Sequence, residues 1–140
     1  MRNDRRAATA LEFVLAAPVL MTLLFATFEY ARLVWTMEAL QLAGDQTARC
    51  VAISGTACAD ATGYAIATAT GFGAFGLLSS GITIDNIPPA ITSATACAPP
   101  TGNTAVRVKL SLQFGSVASG LLVGINQLIT TTSCFSVTGV

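Results

Sequence analysis

The sequence contains no histidine. That removes the commonest general base, the commonest metal ligand, and the Ser–His and Cys–His nucleophile pairings. Charge is scarce too: 10% of the 140 residues are Asp, Glu, Lys or Arg, against roughly 25% in soluble domains. Beyond Cys50, only Asp60, Asp85, Arg107 and Lys109 are charged. The carboxylates are few and scattered, which argues against paired acid–base chemistry. The formal net charge is zero, so no basic surface points to nucleic acid. Neither a phosphate-cradling G-x-x-x-x-G-K-[ST] loop nor a C-x-x-C pair is present. Gly71-Phe72-Gly73-Ala74-Phe75-Gly76 spells G-x-G-x-x-G, but no strand precedes it and no βαβ unit surrounds it, so it is not read as a dinucleotide site. The expectation is a protein that is not an enzyme and carries no cofactor and no metal. So little surface charge suits a chain that packs against copies or partners, and equally an exported surface solvated by hydroxyls.

What the chain has is an uncharged stretch, FVLAAPVLMTLLFATF, at residues 13–28. Arg2, Arg5 and Arg6 precede it and Glu12 stands at its start. Arginines ahead of an apolar run place the N-terminus on the cytoplasmic side. Residues 7–28 as a helix measure about 33 Å, close to the ~30 Å hydrocarbon thickness of a bilayer. A cleaved secretory signal would end at a small-x-small site; this run passes straight into FEYARLVWTMEAL. The expectation is a single-pass anchor. Pro18, in mid-run, removes one backbone donor and is expected to kink the helix.

From Glu29 the pattern turns amphipathic without a break. Leu33, Met37, Leu40, Gly44, Thr47 and Val51 recur at three- and four-residue steps, with Glu38, Gln41, Asp45 and Arg49 opposite. The pairs Glu29/Arg32 and Asp45/Arg49 have helical spacing and read as a solvated face. Tyr30 and Trp35 sit where an interfacial aromatic belt is expected. The helix is expected to end near Ser54-Gly55. A short second helix is expected over residues 64–69, capped by Asp60 or Thr62. Alternation predicts strands at 82–85, more weakly at 91–98, clearly at 105–114, and at 128–137. In the clearest one, Val106, Val108, Leu110, Leu112 and Phe114 point one way, and Arg107, Lys109, Ser111 and Gln113 the other. The fold class is α+β: a long N-terminal membrane-anchoring helix packed on a small antiparallel β-sheet. The expected organisation is a basic leader at 1–7, a long helix at 8–54 and a small β-rich domain at 55–140. The helix divides into a transmembrane half at about 8–30 and an amphipathic half at about 31–54.

Cys50, Cys58, Cys97 and Cys134 all lie beyond the anchor. An even number in a small exported domain reads as two disulfides, for which three pairings exist. Cys50–Cys58, at the helix end, and Cys97–Cys134, between two strands, are favoured. A Cys₄ metal site lacks any closely spaced pair.

Taken together, Arg5-Arg6-Ala7-Ala8-Thr9-Ala10-Leu11-Glu12-Phe13-Val14-Leu15-Ala16-Ala17-Pro18 resembles the opening of TadE-like minor pilins or pseudopilins. These belong to the tight-adherence (Tad) pilus, in the type IV filament superfamily. Glu29-Tyr30-Ala31-Arg32 and Ala48-Arg49 match its downstream features, so the resemblance covers roughly residues 5–53. It implies cleavage between Ala7 and Ala8 by a prepilin peptidase, although glycine is usual where Ala7 stands. It implies assembly roles for Glu12 and Phe13. It further implies the major Flp-type pilin, other pseudopilins, an inner-membrane assembly platform and a cytoplasmic ATPase as partners. The expected place is the bacterial inner membrane, with the C-terminal domain in the periplasm or carried into the pilus, where it serves adhesion and biofilm. The alternative is a single-pass, membrane-anchored interaction protein that never enters a filament.

Overall fold

The computed structural model describes residues 2–53, 58–88, 97, 103–116 and 126–137, with side chains from residue 10 onward. Helix α1 spans Arg2–Ile53, 52 residues, about 78 Å at 1.5 Å per residue. It begins within the basic leader, so leader and anchor are one continuous helix. It also runs on through Pro18. Helix α2 covers Ala61–Gly71 and is capped by Asp60, whose Oδ1 accepts the Gly63 N–H at 2.9 Å. A 3₁₀ turn at Ser79–Gly81 leads into strand β1, Ile82–Ile87. Strands β2, Thr104–Gly115, and β3, Asn126–Val137, complete an antiparallel sheet of order β1-β2-β3. The α+β class expected from alternation is therefore the observed one. The weaker strand expected at 91–98 and the helix end at Ser54-Gly55 lie outside the described residues, Cys97 excepted.

Register follows from the two-residue period. Val106, Val108, Leu110, Leu112 and Phe114 are all buried on one face of β2. They meet Leu40, Ala43 and Ala48 of α1, together with Ala65 and Ala69 of α2. Leu40, Val108 and Leu110 are fully buried, each stabilising the fold by about 1.5–3 kcal/mol. β2 runs antiparallel to β1 and β3, with Leu110 opposite Ile82 and Thr131.

Helix and sheet approach closely at Gly44. A Cβ placed there would lie 2.6 Å from Ser133 Oγ and 3.2 Å from Ser133 Cβ. Gly44 thus lets α1 sit directly on β3, where Gln41 Nε2 meets Ser133 Oγ at 3.3 Å. Two details depart from the helical pattern. Met37 is partly exposed, while Thr36, Ala39 and Ala43 are buried. The reason is that α1 is covered on two sides, by the sheet and by α2, so its buried stripe is broader than one face and centred off Met37. Asp45 and Arg49 make separate contacts: Gln41 Nε2 reaches Asp45 Oδ1 at 3.5 Å, and the Arg49 guanidinium lies 5.9 Å from the Phe135 ring centroid.

The outer face of β2 is wet at Lys109 and Gln113 but dry at one end. Ala105 is buried there with Ile87 and Cys97. The Cys97–Cys134 disulfide explains this, because Cys134 pairs with Arg107 on the same outer face. The second disulfide joins Cys50 to Cys58, tying the end of α1 to the start of α2. Arg107 and Asp85 form a cross-strand ion pair at 2.7 Å, half-exposed and worth about 0–1 kcal/mol.

Candidate anchor and assembly helix

Residues 10–28 of α1 are exposed almost throughout. Leu11, Phe13, Val14, Leu15, Val19, Leu20, Leu23, Leu24, Phe25 and Phe28 are all more than half exposed. No charged side chain interrupts residues 13–28. In water, this much apolar surface is unfavourable by roughly 25 cal/mol per Å²; in a bilayer it is at home. Among the described residues, one helix is long and apolar enough to cross a membrane, and its apolar window is wholly unburied. Its hydroxyls are also suited to lipid. Thr22 Oγ1 donates to Val19 O at 2.8 Å, and Thr27 Oγ1 to Leu24 O at 2.9 Å. Both are satisfied within the helix, as polar groups in hydrocarbon must be. Pro18 has no N–H to offer the preceding turn. Glu12 and Phe13 stand exposed at the start of this surface. Ala7 and Ala8 lie on the same helix, ahead of the described side chains.

The transition to the outside domain is sharper than the sequence suggested. Glu29 was expected on a solvated face, yet it is only 6% exposed. Its carboxylate lies 3.9 Å from Arg32 Nη1. Arg32 in turn donates from Nη2 to Gly115 O at 2.5 Å and covers the Phe114 ring at 4.8 Å. Glu29 is buried because the end of β2 comes down onto this turn of the helix. Helical spacing reported the Glu29/Arg32 pair; nothing in the spacing reported Gly115, 83 residues away. One turn further on, Trp35 Nε1 donates to Phe72 O at 3.1 Å and hooks the loop after α2 onto α1. The G-x-G-x-x-G string is that loop. It follows a helix, and Gly73 and Gly76 adopt positive φ, 94° and 89°, the left-handed conformation that glycine accommodates at no steric cost.

Among the described residues, no group of His, Cys, Asp or Glu is arranged to hold a metal ion. A bare apolar helix, long and apolar enough to cross a membrane, passes into a disulfide-stapled antiparallel sheet, which defines an α+β protein. Residues 7–49 match the TadE-like protein family. The matching segment lies within α1 and covers under a third of the chain, and the sheet domain lies beyond it. No curated protein and no solved structure matches the chain.

Proposed function

We propose that this protein is a minor pilin or pseudopilin of a Tad-type pilus, held in the bacterial inner membrane by α1 with its sheet domain in the periplasm. The observation that carries this is the uncharged, uncovered helix surface at 13–28 preceded by Glu12, within the TadE-like match. Arg2, Arg5 and Arg6 favour a cytoplasmic N-terminus. A prepilin peptidase cuts between Ala7 and Ala8 and leaves the anchor on the mature chain. Cleavage creates a positive α-amine at Ala8. In a bundle of such helices, Glu12 of one subunit pairs with the amine of the next, which neutralises both charges in a low dielectric and sets the axial offset between copies. Phe13 packs beside that pair, and Pro18 adjusts the helix path. The partners are the peptidase, the major Flp-type pilin, other pseudopilins, the assembly platform and the lipid bilayer, and the output is a surface fibre for adhesion.

Glu12→Gln tests this directly, since it keeps the shape and removes the charge. The variant is expected to insert in the membrane and be cut, yet fail to crosslink to pilin partners. Wild-type crosslinking and piliation would overturn the filament role and leave an anchored interaction protein. Intact-mass analysis should show loss of the first seven residues; if full length persists beside active peptidase, Ala7→Gly should restore the cut.

A further inference from the structure

The loop at residues 72–78 exposes two large apolar side chains although its backbone is firmly held. Phe75 is 74% and Leu78 69% exposed. The Phe72 N–H bonds to Thr68 O, Gly73 to Thr70 O and Ala74 to Ala69 O, and Trp35 holds Phe72 O from α1. Ala74 points into the core while its neighbour Phe75 stands outside, between the two positive-φ glycines. A held loop that leaves a phenylalanine in water forgoes the burial of its ring. No charged residue occurs between Asp60 and Asp85 to keep this surface out of an apolar phase.

The height of the loop on α1 says what covers it. Residues 11–28 of α1 span about 27 Å, near the ~30 Å of hydrocarbon, and Glu29 is the first charge beyond Glu12. Headgroups occupy roughly a further 5–8 Å on each side. Arg32 and Trp35 stand about 6–10 Å beyond Phe28 along the helix. Phe75 and Gly73 share with Arg32 and Thr36 a cleft of ≈ 420 Å³, so this part of the loop sits at that level. Tyr30 and Trp35, both largely exposed, are the side chains enriched in that layer. We infer that residues 72–75 form a foot that places Phe75 in the headgroup layer of the bilayer crossed by α1. The foot fixes the height and tilt of the sheet domain before any assembly. It rests on α1 being the anchor.

The test uses the full-length wild-type protein in vesicles of phosphatidylcholine and phosphatidylglycerol. One set carries a photoactivatable group at the end of the acyl chain, the other beside the headgroup, and adducts are mapped by mass spectrometry. The chain-end probe is expected to label 13–28. The headgroup probe is expected to label Phe75, and not Ile53, which is comparably exposed but far along α1. Label on 13–28 without label on the loop overturns the foot and leaves the anchor standing. No label on either overturns both. An unlabelled loop that instead crosslinks between copies assigns the patch to a second copy and overturns the foot.

Discussion

Arg32 binds the far end of β2 through two contacts at once: its Nη2 donates to the Gly115 carbonyl, and its guanidinium covers the Phe114 ring at 4.8 Å. A residue one turn past the apolar run thereby fastens the sheet to α1. A hydrogen bond from a charged donor contributes about 1.5–3 kcal/mol, discounted here because the Arg32 side chain is 35% exposed. Arg32→Ala is expected to lower stability by about 1–2 kcal/mol, and Arg32→Lys to recover only part, since a lysine lacks the planar fork. Denaturant unfolding of the detergent-solubilised protein reads this. Equal stability of wild type and Arg32→Ala would mean that the clamp carries no weight.

The close approach at Gly44 gives a coupled pair. Gly44→Ala gains about 1 kcal/mol of helix propensity but drives its Cβ into Ser133, an overpacking cost of about 1–3 kcal/mol. The single variant should be neutral to destabilised. In a Ser133→Ala background the nearest atom is gone, so the same change should turn stabilising. A double-mutant cycle measures the coupling, and strict additivity would contradict the observed packing.

Parity on β2 predicts opposite outcomes for adjacent residues. Leu110 is fully buried and Lys109 exposed. Leu110→Asp places an unpaired charge in the core, a change of several kcal/mol, and should unfold the sheet domain. Lys109→Asp should be tolerated. Limited proteolysis separates them, and comparable resistance would contradict the register.

The two disulfides close loops of very different length, with sequence separations of 8 and 37. On chain entropy, the longer one constrains the unfolded chain by about 1.4 kcal/mol more. Cys134→Ser should therefore be more protease-sensitive than Cys58→Ser. A thiol-reactive polymer applied to exported protein, denatured without reductant, should label no cysteine; labelled wild type would refute the oxidised state.

How much of this was legible in the sequence depended on whether the signal was local. The uncharged run at 13–28 announced a helix long and apolar enough to cross a membrane, because lipid imposes composition on every residue that it touches. Alternation at Val106, Val108, Leu110, Leu112 and Phe114 gave β2 its strand and its inner face, because a pleat repeats every two residues. Asp60 announced α2 through its own hydrogen bond. Glu29 misled, since the same i, i+3 spacing to Arg32 describes an exposed pair and a pair roofed by a strand. Met37 misled for a related reason: a single helical face was assumed where two neighbours cover the helix. The outer-face burial of Ala105 needed Cys97 brought alongside. The sequence by itself determined the long apolar helix, the helix-then-sheet order and the apolar face of the sheet, all set by contacts within a few residues or with solvent. Only the tertiary structure decided that Arg32 meets Gly115, that Gly44 meets Ser133 and that Phe75 shares a cleft with Arg32 and Thr36. Those contacts join residues far apart in the chain, and no local period encodes them.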